Sequence, residues 1–285
     1  MTYAETLLLA AVAGFTIYLG LPLARMEMGA RVRVAVAMFS VGILAFLLVD
    51  VLGHGYEETE AAVEAFGEDE GSFGHAAALS ALLLGGFTVG CLGIGLLDRK
   101  LRSRPDRLPP MAGAATDALT VDESMRLSAE LSDATRHALH TGLFIAAAIG
   151  LHNFAEGLAI GVSAGTGEIA LATVLVVGFA LHNATEGFGI IGPLGGVRPS
   201  WGWLALAGLI AGLPVVIGAS IGYNVDSEPL EIAFYGLAGG AILFVVGEIW
   251  NSVRRYGHRE LGLLLLAAGF SAGVLTDFVV AYAGG

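Results

Sequence analysis

Eight apolar runs, each close to the length a helix needs to cross a bilayer, are the feature that most restricts how this chain folds. A hydrocarbon core of about 30 Å takes roughly 20 residues of helix. The runs lie at approximately 4–24, 33–53, 75–97, 138–164, 168–192, 202–223, 230–252 and 261–283. Composition agrees: 14% of the 285 residues are charged, against about 25% in an ordinary soluble domain. The 42 glycines fit close approach of membrane helices. The expected fold class is therefore an all-α integral membrane protein, a single eight-span bundle over residues 1–285. The first run lacks a basic leader and carries Glu5, so it reads as a span and not a cleaved signal peptide.

Charge sorts the loops into two sets. All 14 basic residues fall on one side of an eight-span arrangement. Arg25, Arg31 and Arg33 follow span 1. Arg99, Lys100, Arg102, Arg104, Arg107, Arg126 and Arg136 lie between spans 3 and 4. Arg198 precedes span 6, and Arg254, Arg255 and Arg259 join spans 7 and 8. The opposite loops are acidic: EETEAAVEAFGEDEG after span 2, SAGTGE after span 4 and NVDSEPLE after span 6. By the positive-inside rule both termini lie outside the cytoplasm. Residues 98–137 form the long cytoplasmic loop between spans 3 and 4, Pro- and Arg-containing at first, then polar and compatible with helix. The acidic outer segment at about 54–74 is either a solvated face or an attractor of cations.

Two near-copies of one motif interrupt the apolar pattern, HNFAEGLAI from His152 and HNATEGFGI from His182. In each, a His, an Asn and a Glu at i, i+1 and i+4 share about 100° of one helix face. Gly167, midway between the two histidines, falls in the short turn joining spans 4 and 5. An antiparallel hairpin then sets His152 and His182 at one depth, near the bilayer centre. A charge there costs about 2.5–3.5 kcal/mol even on the lenient insertion scale, so Glu156 and Glu186 need a compensating partner. Imidazole nitrogen with carboxylate and amide oxygen suits Zn²⁺, Fe²⁺, Mn²⁺, Co²⁺ or Cd²⁺. The candidate metal ligands are His152, Asn153, Glu156, His182, Asn183 and Glu186.

Weaker signals surround this pair. Asp50 and His54, at i and i+4 near the outer end of span 2, are candidates for an entrance site. His137 and His140 at the inner start of span 4, with Glu248 in span 7, are candidates for an exit. Gly157, Gly161, Gly165, Gly187, Gly189 and Gly192 suit close helix packing or an ion path. Ser163 extends the polar face of span 4 outward. Asp277 and Cys91 read as packing or hydrogen-bonding residues, and His75 and His258 carry no special signal. A single cysteine supplies neither a disulfide framework nor a thiolate metal site.

The paired motif resembles that of the ZIP family of divalent metal transporters. The resemblance implies ligand positions at His152, Asn153 and Glu156 in span 4 and at His182, Asn183 and Glu186 in span 5. It also implies a 3+2+3 bundle in which inverted halves flank spans 4 and 5. One departure stands out: many bacterial members place Glu before the proline of span 6, where this chain has Leu213 before Pro214. One central ion is therefore expected instead of a bridged pair. The stretch around Asp50 is similar to the family's FLHLLPEA-like segment with altered residue types.

The expected function is movement of divalent transition metals, zinc foremost, into the cytoplasm by alternating access, with the metal as cargo and no resident cofactor. No GxxxxGK[ST] motif is present to couple it to ATP. The alternative is an intramembrane metal-dependent hydrolase, although neither motif is HExxH. Expected partners are divalent metal ions and the lipid bilayer, with a homodimer as the candidate assembly. A net charge of −12 without a basic stripe gives nucleic acid nothing to bind. The expected location is the cell inner (plasma) membrane, with multiple passes.

Overall fold

Long helices account for nearly all of the described residues, as continuous apolar runs in lipid require, because only intrahelical bonding satisfies the backbone there. The structure is a computed structural model, and it describes residues 1–27, 29–101, 121–194, 197–225, 227–254 and 256–282. Among the described residues eight α-helices occur in order: α1 Tyr3–Phe15, α2 Ala30–Gly67, α3 Phe73–Leu101, α4 Val121–Thr166, α5 Ile169–Ile191, α6 Trp201–Gly222, α7 Glu228–Arg254 and α8 Arg259–Tyr282. Eight segments are long and apolar enough to cross a membrane. The protein is an all-α, eight-span membrane bundle, and no strand occurs among the described residues.

Three boundaries differ from the sequence expectation. The first span is regular helix only to Phe15 and continues as 3₁₀ turns, Thr16–Leu19 and Leu21–Arg25. Thr16 Oγ1 donates to the Ala13 carbonyl at 2.7 Å, competing with the helix ladder, and Pro22 follows without an N–H to give. Second, the acidic segment expected as a loop at 54–74 is mostly helix, because α2 runs 38 residues to Gly67. Glu- and Ala-rich sequence propagates helix well, and nothing breaks it before Asp69, at φ 62°. At 1.5 Å per residue α2 is about 57 Å long and outreaches the bilayer core. Third, the 98–137 loop is, from Val121, the helix its sequence is compatible with, so α4 starts well before residue 138. Its Pro- and Arg-containing part, with Arg102, Arg104 and Arg107, lies outside the described residues, as does Arg255.

Packing pairs α4 with α6, α3 with α7, α2 with α8 and with α7, and α1 with α6 and with α5. Glycine makes the α4–α6 seam close. A Cβ at Gly157 would sit 2.8 Å from the Val215 carbonyl carbon, and one at Gly218 would sit 2.9 Å from the Leu158 nitrogen. This seam fixes the depth of His152 and Glu156. Gly187 meets the α1 break in the same manner, 3.0 Å from Gly20 Cα.

The basic residues cluster where α1, α3, α5 and α7 end and α2, α4, α6 and α8 begin, hereafter the basic face. There Arg198 pairs with Glu27, and Arg25 donates to the Pro199 carbonyl at 2.6 Å while stacking on Trp201. The opposite, acidic face holds the α4–α5 turn and the His75–Glu228 pair at 3.4 Å.

Candidate metal centre

The α4–α5 turn does what its glycine suggested. Gly167 adopts φ 92°, a left-handed conformation that glycine takes without a Cβ penalty, and the Glu168 N–H donates to the Ser163 carbonyl at 2.8 Å. The two helices leave this turn antiparallel and bring the rings of His152 and His182 to 6.2 Å, centroid to centroid.

Glu156 lies between them. Its Oε1 is 2.9 Å from His152 Nε2 and also contacts His182 Nε2. One donor atom each from His152, Glu156 and His182 lie within 4.8 Å of one another, the one such group of three among the described residues. A tetrahedral ion with bonds near 2.0–2.1 Å needs donors roughly 3.3 Å apart.

Behind the triad stands Glu186, fully buried, with Oε1 4.0 Å from His152 Nε2. Both of its carboxylate oxygens lack a hydrogen-bond partner, as do His152 Nδ1 and the Oδ1 atoms of Asn153 and Asn183. Leaving a buried polar atom unpaired costs about 1–3 kcal/mol, more for a charged one, so native interiors concentrate them only where something else binds. The donor chemistry is that of a divalent-cation site: two carboxylates, two imidazoles and two amide oxygens.

Both asparagines also hold the frame. Asn153 Nδ2 donates to the Ala211 carbonyl of α6 at 3.0 Å, and Asn183 Nδ2 to the Ala13 carbonyl of α1 at 3.1 Å. Each target lies beside an irregularity. Ala13 precedes the change to 3₁₀ turns, and Ala211 sits within a turn of Pro214, which lacks an N–H and disturbs the ladder behind it. Asn183 additionally approaches Glu156 Oε2 at 3.5 Å.

A cavity of about 280 Å³ leads from the acidic face to the triad. His152, Glu156 and His182 form its floor; Asp50, His54, Tyr235 and Asp277 line it above. Asp50 and His54, named from sequence as an entrance, thus open onto the centre; His54 Nδ1 is 2.9 Å from the Asp50 carbonyl oxygen. Asp277, which the sequence suggests as a packing or hydrogen-bonding residue, lines this cavity. Only its spacing from the motif in three dimensions reveals that, since α8 is nearly a hundred residues further along the chain.

The other sequence candidates are placed differently. His137 and His140 are exposed near the basic end of α4, and Glu248 is half-buried on α7. Their donor atoms are not gathered into a metal-holding group. Leu213 is 37% exposed on the outer side of α6, so the position before Pro214 does not face the triad. Ser163 is buried near the turn and is not part of the cavity wall. Sequence reasoning missed Tyr235 as well as Asp277.

Fold and site together define a class: a polytopic membrane protein with a solvent-reached His/Glu centre buried inside its bundle. No family model matches the chain. Over 131 residues it is 30% identical to the zinc transporter ZIPB of Bordetella bronchiseptica, a match covering 45% of this chain and 42% of that protein. Over 152 residues it is 32% identical to the zinc transporter ZupT of Clostridium perfringens, covering 52% of each. The chain thus spans about half the length of the curated relatives it matches. These likenesses support the ZIP family, in agreement with the resemblance of its paired motifs.

Proposed function

We propose that this protein carries divalent transition-metal cations, zinc foremost, across a membrane through the His152–Glu156–His182 centre. The observation that carries the proposal is the gathering of unpartnered buried acceptors and imidazoles around two buried carboxylates, at the floor of a cavity open to one face. A dehydrated cation is the ligand those groups lack. Asn153, Asn183 and Glu186 complete its surroundings, and one ion fits the single triad.

The cavity opens on the acidic face, where Asp50 and Asp277 raise the local cation concentration. With the basic face cytoplasmic by the positive-inside rule, transport is inward, both termini are outside, and the protein resides in the cell inner membrane. The packing supports an inverted repeat. Exchanging α1 with α6, α2 with α7, α3 with α8 and α4 with α5 carries the α4–α6 contact onto α5–α1, and α3–α7 onto α8–α2. A hydrolase is not favoured: the relatives are named as transporters, and neither motif is HExxH.

The test is zinc uptake into proteoliposomes loaded with a fluorescent zinc indicator. Uptake that His182→Ala abolishes supports the proposal. An absence of flux, together with metal-dependent turnover of a lipid or peptide, would replace it with the hydrolase.

A further inference from the structure

The acidic-face cavity ends at the triad, which leaves the route from the centre to the basic face to be found. One buried hydroxyl marks it. Ser40 on α2 is 1% exposed, and its Oγ has no hydrogen-bond partner. That is unlike the hydroxyls of Thr59, Ser80, Thr88 and Thr173, each of which donates to the carbonyl one turn back. Ser40 Oγ points at α5, 2.8 Å from where a Cβ on Gly189 would stand. Gly189 is one turn beyond Glu186, whose carboxylate is likewise buried and unpartnered. A further turn along, Gly192 faces Ala37 on α2; a Cβ there would stand 2.9 Å from Ala37 Cβ. Gly192 also lines a second cavity, of about 420 Å³, on the basic face, together with Val36, Ile191, Glu27, Arg33 and Arg198.

We infer that the metal leaves the centre along the seam between α2 and α5, from Glu186 past the Ser40 hydroxyl into the cavity walled by Glu27, Arg33 and Arg198. The inference rests on the transport reading. In this structure the seam is closed, with Ala37 and Ile249 packed against Gly189 and Gly192, while the acidic-face cavity reaches the triad. One side is open and the other shut, as alternating access requires. Partial separation of α2 from α5 would expose Ser40 to water and join the two compartments. The absence of side chains at Gly189 and Gly192 then leaves room for an ion that keeps part of its hydration. Neither His137, His140 nor Glu248 is among the residues lining that cavity.

The experiment uses the full chain in vesicles with Cys91→Ser as background. Ser40→Cys is exposed to a membrane-impermeant methanethiosulfonate from the basic-face side, and Gly189→Val is assayed for zinc flux. Expected are labelling of Ser40→Cys well above that of Leu243→Cys, which faces lipid, and a flux loss of at least about tenfold in Gly189→Val, whose added bulk overpacks the seam. Zinc titration of Gly189→Val should still show binding at the centre; should that variant not fold, Ser40→Leu takes its place. Parent flux with no labelling at Ser40→Cys and undiminished flux in Gly189→Val overturns the route while the transport reading stands. A parent that moves no zinc removes the transport reading and overturns the exit route with it.

Discussion

Glu156→Gln separates a metal ligand from a structural clasp. Glu156 Oε1 is 2.9 Å from His152 Nε2 and touches His182 Nε2, in a carboxylate whose side chain is 4% exposed. Glutamine keeps the size of the group and an oxygen for one histidine, but removes the negative charge. Changes to residues that only orient a metal ligand cost about 10–100-fold in affinity. A directly coordinating, charged donor should cost more, so a loss of at least about 100-fold, or ~2.7 kcal/mol, is expected. The assay is competitive zinc titration of the detergent-solubilised protein against a chelating indicator, with thermal unfolding of the metal-free protein measured in parallel. As a ligand, Glu156 should show a large affinity loss with little change in metal-free stability, because the triad's mutual contacts are replaced by amide contacts of similar shape. Weakening below tenfold, with a marked drop in metal-free stability, would refute the argument. It would make the Glu156–histidine contacts a clasp holding α4 to α5.

Replacing either asparagine by leucine removes its bond to the Ala211 or Ala13 carbonyl; metal-free stability should fall by about 1 kcal/mol and zinc affinity by about 10–100-fold, read by the same two assays. Metal binds imidazole only in its proton-free form, and an unperturbed histidine titrates near 6.5. Lowering the pH from about 7.5 to 5.5 should therefore weaken zinc binding and slow uptake, and unchanged or faster uptake at pH 5.5 would count against histidine ligation. Gly157→Ala forces a methyl to within 2.8 Å of the Val215 carbonyl carbon; a destabilisation of about 1–3 kcal/mol is expected, and an unshifted melting temperature would show that α4 and α6 are free to part. Asp277→Asn should raise the zinc concentration for half-maximal uptake at least about twofold, with little effect on the maximal rate, because it acts on cation attraction at the cavity wall; the same kinetics in high salt should erase the difference.

Which of these features were legible in the sequence follows from how strongly lipid penalises the alternative. Apolar runs of bilayer length and one-sided basic loops have a single economical arrangement in a membrane, so eight spans and the matched depth of His152 and His182 could be read directly. The centre was legible for the same reason, since Glu156 and Glu186 have no place in hydrocarbon without a partner. Where water or neighbouring helices set the outcome, the pattern was ambiguous. The acidic end of α2 is as polar as a loop, yet its Glu and Ala residues continue a helix once one is running. The break in α1 after Phe15 leaves no mark in hydropathy, because Thr16, Gly20 and Pro22 sit inside an apolar run.

Asn153 and Asn183 show the limit most clearly, because one side chain answers to two demands. The spacing from His to Asn to Glu puts the amides among the candidate ligands, and both Oδ1 atoms are buried without hydrogen-bond partners. What spacing did not reveal is where each Nδ2 goes, because the acceptors lie on α6 and α1, at Ala211 and Ala13. Those carbonyls lie beside a proline and a helix break that are remote in sequence and adjacent only in the bundle. The same holds for Asp277 and Ser40, polar residues that look incidental on their own helices. A cavity wall and a closed seam give them a role, and both are properties of pairs of helices. For a membrane bundle, then, the cost of burial points to the candidate centre in the sequence, but what surrounds that centre is written in contacts between helices.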